Sequence, residues 1–182
     1  PTDYVLQLDD GTLLTVHARL RREPFGRKPR WEWVGRVKEW LRIPVIANGG
    51  ICSVATAREC LRISGADGLM IGRAAAEKPW IFAEISREIY GVETGGVAID
   101  LPWIYLQMAT VLAARFRPER RLGRLKEFTH YFARNYPFGH HLARAVQSSA
   151  SMDDAWGRAL AFFARHEPGN SLPVRIPGSD ED

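Results

Sequence analysis

Apolar and polar positions in the first hundred residues follow two different periods. Short apolar runs with the composition of buried strands occur at residues 12–17 (TLLTVH), 43–47 (IPVIA) and 68–72 (GLMIG). Apolar residues recur at helical spacing over residues 31–41, 54–64 and 79–90. This βαβαβα order predicts a parallel sheet whose strands are joined by helical crossovers, which places an α/β domain over residues 1–92.

No strand pattern returns in the second half of the chain. A glycine-rich stretch, GVETGGVAIDLP, predicts a linker at residues 93–101, and an all-α domain follows over residues 102–167. Four helices fit that domain, at residues 103–116, 122–135, 138–150 and 152–166. The end, residues 168–182, is rich in proline, glycine and acid, which predicts a disordered tail.

Length and composition limit the class of protein. With 182 residues, 46% of them apolar, the chain suits one ordinary domain, or part of a larger domain plus a small one. It has no apolar run of membrane-spanning length and no secretory signal pattern, so we expect a cytoplasmic protein without a membrane partner. Cys52 and Cys60, eight residues apart, match neither a disulfide framework nor metal-ligand spacing, so no metal site is predicted.

The charge distribution is biased towards arginine. Arginine supplies 21 of the 25 basic residues, and residues 115–165 carry ten basic against four acidic side chains. Arginine favours bidentate phosphate contacts, so this segment is compatible with nucleic acid binding. A solvated helix surface in an arginine-rich protein explains the same pattern, and charge alone favours that second interpretation.

Two glycine-containing turns follow consecutive predicted strands. Asn48, Gly49 and Gly50 follow one strand, and Gly72 and Arg73 follow the next. Because the carboxyl ends of neighbouring parallel strands lie side by side, backbone amides and the Arg73 guanidinium could converge on one phosphate there. Many (β/α)8 barrels bind phosphate in this way after their seventh and eighth strands. The alternative is that the glycines serve only tight turns.

The preceding strand ends in His17 and Arg19. Side chains alternate along a strand, so these two point the same way and Ala18 points the other way. An imidazole beside a phosphate or a ring carbonyl would be useful at that position. A structural histidine at the end of an apolar strand is the alternative interpretation.

The motifs TVHAR, PRWEWVGRVKEWLRIPVIANGGI, ADGLMIGRAA and KPWIF, in this order, resemble the C-terminal half of the tRNA-dihydrouridine synthases. The resemblance runs from about Thr15 to about Arg165. It implies the last three βα units of an FMN-binding (β/α)8 (TIM) barrel, followed by a helical tRNA-binding domain. It assigns FMN contacts to His17, Asn48, Gly49, Gly50, Gly72 and Arg73, with Arg19 beside them, and RNA contacts to Lys28, Arg124 and Lys126.

The resemblance also implies a reaction. In that family hydride passes from NADPH to FMN and then to C6 of a uridine in tRNA, and a cysteine protonates C5. The family's first five strands, that cysteine and a flavin-contacting lysine have no counterpart in this sequence, so no catalytic residue is assigned here. Ala18, Gly50 and Ala74 also depart from the usual HGR, NGD and GRG motifs.

These absences define what we expect of the isolated chain. Three barrel strands alone would leave two open sheet edges. We therefore expect the isolated chain to be inactive, with a further chain or segment supplying the missing half of the barrel. Two alternatives stay open: a non-catalytic RNA-binding remnant, and part of another phosphate-binding flavin oxidoreductase.

Overall fold

A computed structural model of the chain describes residues 4–9, 13–24, 26–93, 95, 99–167, 172–173 and 176. The chain divides into a sheet unit, residues 1–75 with 79–96, and a helical unit, residues 76–78 with 97–182. Among the described residues, no helix is long and apolar enough to cross a membrane.

The sheet unit contains four strands in the spatial order of the sequence. Its central feature is the predicted set of three parallel strands, which the structure confirms. Helical crossovers connect these strands, as the βαβαβα pattern predicted. The strands are β1 (Tyr4–Asp9), β2 (Leu13–Leu20), β3 (Val45–Asn48) and β4 (Gly68–Met70), and the crossover helices are α1 (Trp31–Trp40) and α2 (Val54–Ser64).

Strand β1 was not predicted. It pairs antiparallel with β2, with Asp9 opposite Leu13 and Tyr4 opposite Leu20. Strand β1 therefore covers the edge of β2, and the edge strands of the sheet among the described residues are β1 and β4. The Asp10–Gly11 dipeptide between the two strands is a known hairpin signal in sequence, and it was overlooked.

The two faces of the sheet differ in polarity. Leu14 and Val16 of β2 lie opposite Val45 and Ala47 of β3, and all four side chains are buried in one apolar cluster. That cluster also contains Ala18 and residues from the crossover helices, among them Trp31, Val34, Ala57 and Cys60. Because side chains alternate along a strand, His17 and Asn48 lie on the face away from this cluster.

Asp67 joins the start of β3 to helix α1. Its Oδ2 accepts hydrogen bonds from Lys38 Nζ at 2.6 Å and from the Val45 amide at 2.7 Å. The Lys38 ammonium first, and then the Val45 amide, hold the pKa of Asp67 below its usual value. These two hydrogen bonds of Asp67 lie at the amino end of β3, whereas the glycine turns lie at the carboxyl ends of the strands.

Capping residues set the ends of α2. Ser53 Oγ accepts a hydrogen bond from the Thr56 amide at 3.2 Å, and Thr56 Oγ1 accepts one from the Ser53 amide at 2.9 Å. The helix ends at Gly65, whose φ of 57° lies in the left-handed region. After β4 come a short helix that was not predicted, α3 (Arg73–Glu77), and then α4 (Ile81–Tyr90).

The helical unit contains the four predicted helices, the first three with shifted bounds and the fourth with the predicted bounds. They are α5 (Leu101–Arg115), α6 (Pro118–Phe132), α7 (His140–Gln147) and α8 (Met152–His166), with a 3-10 turn at Ala133–Asn135. Helix α5 begins inside the predicted linker because Asp100 Oδ1 accepts from the Trp103 amide at 2.9 Å and Pro102 suits the first turn.

Aromatic side chains dominate the core of the helical unit. Tyr105 is fully buried, stacks on Trp156 with ring centroids 6.2 Å apart, and also contacts Phe132 and Phe163. Its hydroxyl lies 2.6 Å from Thr129 Oγ1, so the polar end of the ring is satisfied. Burial raises the pKa of Tyr105 well above its usual value.

Two described residues of the predicted disordered tail contact or enter the helical unit. Trp156 Nε1 donates to the Pro173 carbonyl at 3.0 Å, and the Ile176 side chain is buried. The apolar segment LPVRI within that tail provides the physical reason, because burying apolar side chains offsets the entropy of ordering them. Apart from Leu172, the rest of the tail lies outside the described residues.

Candidate anion-binding site at the strand ends

His17 of β2, Asn48 of β3 and Met70 of β4 lie in one row across the sheet, at the carboxyl ends of β3 and β4. His17 Nδ1 lies 2.6 Å from Asn48 Oδ1, and Asn48 Nδ2 donates to the Met70 carbonyl at 2.8 Å. Because the Asn48 nitrogen donates to Met70, its oxygen faces His17, which assigns the proton to Nδ1. In the neutral ring, Nε2 is then the acceptor nitrogen. Asn48 of β3, itself bonded to Met70 of β4, fixes the orientation of the His17 ring.

Arg19 lies two residues beyond His17 and is only 5% exposed. Its Nε donates to the Arg27 carbonyl at 2.5 Å, whereas its buried Nη1 has no hydrogen-bond partner among the described residues. Burial first, and then the positive charge of Arg73, lower the pKa of Arg19, against an opposing effect of Glu23. A buried guanidinium with an unused donor and a second cation nearby favours an anion at this position.

Gly49 lies between these two side chains. Its φ of 109° is one that side-chain-bearing residues rarely adopt, and a Cβ there would lie 3.0 Å from His17 Cε1 and 3.4 Å from Arg19 Nη1. The Gly49 carbonyl accepts from Trp31 Nε1 at 2.9 Å, which anchors the turn to helix α1. Glycine therefore keeps open the space into which the His17 and Arg19 side chains face.

The loop from β2 to α1 is organised by Glu23, which sequence analysis missed. Its carboxylate accepts from the Leu20 amide at 2.9 Å, from Arg30 Nη2, and lies 3.4 Å from Arg27 Nη1. The Leu20 amide first, and then the charges of Arg30 and Arg27, lower the pKa of Glu23. The signal in sequence was a single acid among five basic residues in RREPFGRKPR, which marks a shared counter-ion.

For the remaining predicted cofactor residues, Gly50, Gly72 and Arg73, the surroundings differ from those of Gly49. Gly50 has a φ of 75°, and a Cβ there would lie 2.6 Å from Pro29 Cγ, so its lack of a side chain serves the packing of the turn. A Cβ on Gly72 would have no atom within 4 Å, and Arg73 is exposed. The structure thus brings together His17, Arg19, Asn48 and Gly49 by contact, and Arg73 through its charge.

The three predicted RNA contacts lie on different parts of the chain. Lys28 is exposed in the β2–α1 loop of the sheet unit. In the helical unit, Arg124 is exposed and pairs with Glu127 Oε2 at 2.7 Å, whereas the half-buried Lys126 donates from Nζ to the Ser149 carbonyl at 2.7 Å. Lys126 therefore has a structural contact near the end of α7 that the RLK motif did not indicate.

The two cysteines differ in solvent exposure. Cys52 is exposed, and Cys60 is buried, which raises its pKa to about 11. No group of side chains in the described ranges could hold a metal ion. The buried Cys60 thiol stays protonated at neutral pH and is a packing residue.

Comparison with known proteins gives the site a context. The tRNA-dihydrouridine(16) synthase of Aquipseudomonas alcaligenes is 35% identical over 133 residues, covering 68% of this chain and 40% of that protein. A probable tRNA-dihydrouridine synthase of Mycobacterium tuberculosis is 27% identical over 153 residues, covering 82% of this chain and 39% of that protein. A probable tRNA-dihydrouridine synthase of Rickettsia typhi is 42% identical over 96 residues, covering 52% of this chain and 28% of that protein.

The chain thus spans two fifths or less of the length of these relatives. The family described as dihydrouridine synthase (Dus) matches residues 6–164, which include the strand-end site, helices α5 to α7 and most of α8. The resemblance seen in the sequence motifs is confirmed: this chain belongs to the dihydrouridine synthase family.

Proposed function

We propose that this chain forms part of an FMN-dependent tRNA-dihydrouridine synthase, which reduces a uridine in tRNA with NADPH as the reductant. The observation that carries the proposal is the buried Arg19 guanidinium, whose Nη1 is unpartnered among the described residues at the strand-end site. Family membership supports the reaction, and the names of the relatives support tRNA as the substrate.

The residues at the strand ends fit the phosphate of FMN. A phosphate dianion between Arg19 and Arg73 would satisfy the open donor on Arg19 and relieve the repulsion that lowers its pKa. Gly49 leaves room for the anion because its missing side chain would otherwise meet His17 and Arg19. We propose the same role in holding the phosphate for Asn48, Gly50 and Gly72, through the backbone of the two turns.

FMN, when bound, supplies the transfer of hydride to the pyrimidine ring. The contribution of His17 is orientation: Asn48 and the Met70 carbonyl hold its ring so that Nε2 is available to a polar group of a bound ligand. An imidazole held by two neighbouring strands loses little entropy on binding, which favours a fixed ligand position.

Contact with tRNA is proposed for Lys28 in the sheet unit and for Arg124 and Lys126 in the helical unit. Lys28 and Arg124 are exposed and can reach a phosphate at low cost. Arg124 would exchange its ion pair with Glu127 for a phosphate, and exposed ion pairs of this kind contribute only about 0–1 kcal/mol. Lys126 would have to share its ammonium between Ser149 and the RNA.

Flavin binding tests the site directly. We expect Gly49→Ala to weaken FMN binding by at least about tenfold, because the new Cβ enters the space beside His17 and Arg19 and the backbone is strained. Gly157→Ala on α8 is the control, since nothing lies within 4 Å of its Cβ position and no part of the strand-end site is assigned to it. FMN titration followed by fluorescence measures both, and equal affinities for the two variants would refute the proposed placement.

The reaction itself is tested in cells. Nucleoside mass spectrometry of tRNA from a strain that lacks the gene should show dihydrouridine missing at one position, with position 16 examined first because a relative is named for it. Unchanged dihydrouridine would refute the proposed reaction. A colourless protein that binds tRNA would instead indicate an RNA-binding remnant, and a flavoprotein without tRNA affinity would indicate a small-molecule oxidoreductase.

A further inference from the structure

The loop between α6 and α7 presents an exposed aromatic ring on a disfavoured backbone. Phe138 is 66% exposed, and its φ of 59° lies in the left-handed region. Among the described residues it is the one non-glycine with a positive φ. Glycine or asparagine would adopt this conformation more easily, and an exposed ring gains nothing from the core, so folding alone does not account for phenylalanine here.

The backbone around Phe138 is held from both sides. The Tyr136 amide donates to the Ala133 carbonyl and the Gly139 amide to the Tyr136 carbonyl, both at 3.1 Å, while the His141 amide donates to the Phe138 carbonyl at 2.9 Å. A Cβ on Gly139 would lie 1.7 Å from the Ala133 oxygen, so the loop has no room to move inward there. The outward position of the Phe138 ring is therefore built into the loop.

Two imidazoles extend this aromatic surface. The His140 ring meets Phe138 edge-on with centroids 6.4 Å apart, and the His141 ring lies 4.2 Å from that of His140. All three side chains are exposed. We call Phe138, His140 and His141 the loop cluster. His140 thus lies beside both other rings, and the largely exposed Phe138 ring offers a planar face to a flat ligand.

The charge around the loop cluster favours an anionic partner. Residues 128–152 contain no aspartate or glutamate in 25 positions, but they contain two arginines and three histidines. Arg144 lies one helical turn after His140 on α7 and is exposed. A flat and negatively charged partner that offers stacking surfaces and phosphates is a nucleic acid with unpaired bases.

We propose that the loop cluster is a stacking site for an unpaired base of RNA, with Phe138 as the platform and Arg144 meeting the adjoining phosphate. The identity of that RNA as tRNA rests on the proposed function. This site differs from the contacts proposed for Lys28, Arg124 and Lys126 because Phe138 would hold a base through its ring face, in addition to the phosphate contact of Arg144.

Binding of an unmodified tRNA transcript to the 182-residue chain tests the site. We expect Phe138→Ala to weaken binding about tenfold, the range found when a stacking aromatic is removed, and Phe138→Trp to retain affinity. The dependence of affinity on salt should stay unchanged in Phe138→Ala because no charge is lost, whereas Arg144→Ala should lower that slope by about one unit.

Two further variants separate binding from folding. Phe138→Gly removes the ring but suits the left-handed backbone, so it should melt no lower than the unsubstituted chain and still bind as weakly as Phe138→Ala. Trp103→Ala is the matched control: Trp103 is 52% exposed on α5 of the same unit, and its removal should leave affinity unchanged.

The outcomes distinguish this inference from the proposed function. Equal affinity of Phe138→Ala and the unsubstituted chain would overturn the stacking site alone, as would an equal loss in Trp103→Ala. Failure of the unsubstituted chain to bind tRNA would overturn the stacking site together with the tRNA contacts proposed for Lys28, Arg124 and Lys126. If tRNA binding depends on Phe138 but the strain that lacks the gene keeps all its dihydrouridine, only the proposed reaction is overturned.

Discussion

The two units of this chain treat their cations differently. In the sheet unit, the Arg19 guanidinium is buried with an unused donor, near the charge of Arg73. In the helical unit, arginines lie on the surface and pair with acids one turn away, as Arg124 does with Glu127 and Arg158 with Asp154. The strand-end site therefore carries an unfavourable electrostatic interaction that an anion can remove. On the helical surface, the arginines that have acidic partners can exchange those partners at low cost.

The hydrophobic cores of the two units are built from side chains of different size. The helical unit buries large rings, and among them the Tyr105 hydroxyl contacts Thr129 Oγ1 and Trp156 Nε1 donates to the Pro173 carbonyl. The core of the sheet unit relies more on small and β-branched residues such as Ala18, Val34, Ala47 and Ala57. We infer that the helical unit gains its stability from its own packing, and that the sheet unit gains part of its stability from a ligand.

The largest effect on stability should follow from opening the aromatic core. Phe132 is fully buried against Tyr105 and Phe128, so Phe132→Ala should lower the free energy of unfolding by about 3–5 kcal/mol. Val111→Ala at an exposed position of α5 is the control, with a change within about 0.5 kcal/mol. Urea unfolding measures both, and a small loss for Phe132→Ala would contradict the inferred source of stability.

A smaller effect of opposite sign should follow from removing the buried charge. In phosphate-free buffer, Arg19→Met should raise the free energy of unfolding by about 1 kcal/mol, because an uncompensated charge is lost along with one hydrogen bond to Arg27. Inorganic phosphate should raise the melting temperature of the unsubstituted chain but not of this variant. The exposed Arg62, paired with Glu59, supplies the control Arg62→Met; a phosphate response that survives in Arg19→Met would argue against the site.

The pH dependence of stability tests the β2–α1 loop. The folded-state pKa of Glu23 is lowered from its ordinary value of 4.5, so its stabilising effect is present above that value and is lost as pH falls through the lower folded pKa. Glu23→Gln should therefore be less stable than the unsubstituted chain near neutral pH, and the two should converge in acid. Urea midpoints measured from about pH 3 to about pH 7 give the comparison, and a constant difference across that range would exclude a role for the Glu23 charge.

The smallest change in stability is expected at the helical surface. Arg124→Ala should alter the free energy of unfolding by less than about 0.5 kcal/mol, yet lower the salt slope of tRNA binding by about one unit. Lys126→Ala should cost more stability, because Nζ donates to the Ser149 carbonyl. Affinity at three salt concentrations separates the two residues, and an unchanged slope in both variants would leave them as structural residues only.

Local patterns in the sequence were sufficient for most of the fold. The period of two in the strands and of 3.6 in the helices reports which face of each element is buried, so the three parallel strands, their crossovers and the four later helices could be predicted. Glycine turns at strand ends likewise indicated where a ligand site would form, because parallel strands place their carboxyl ends together. The family follows from the order of these motifs.

Tertiary structure decided how the polar groups are used. The sequence placed His17 and Asn48 at strand ends, but only the fold, which brings positions 31 residues apart within 2.6 Å, shows that the Asn48 side chain holds the imidazole. The unused donor of Arg19 and the structural contact of Lys126 are of the same kind. Periodicity reports burial, which is a property of one element, whereas hydrogen bonding and charge pairing depend on neighbours that are distant in sequence, and no local pattern records them.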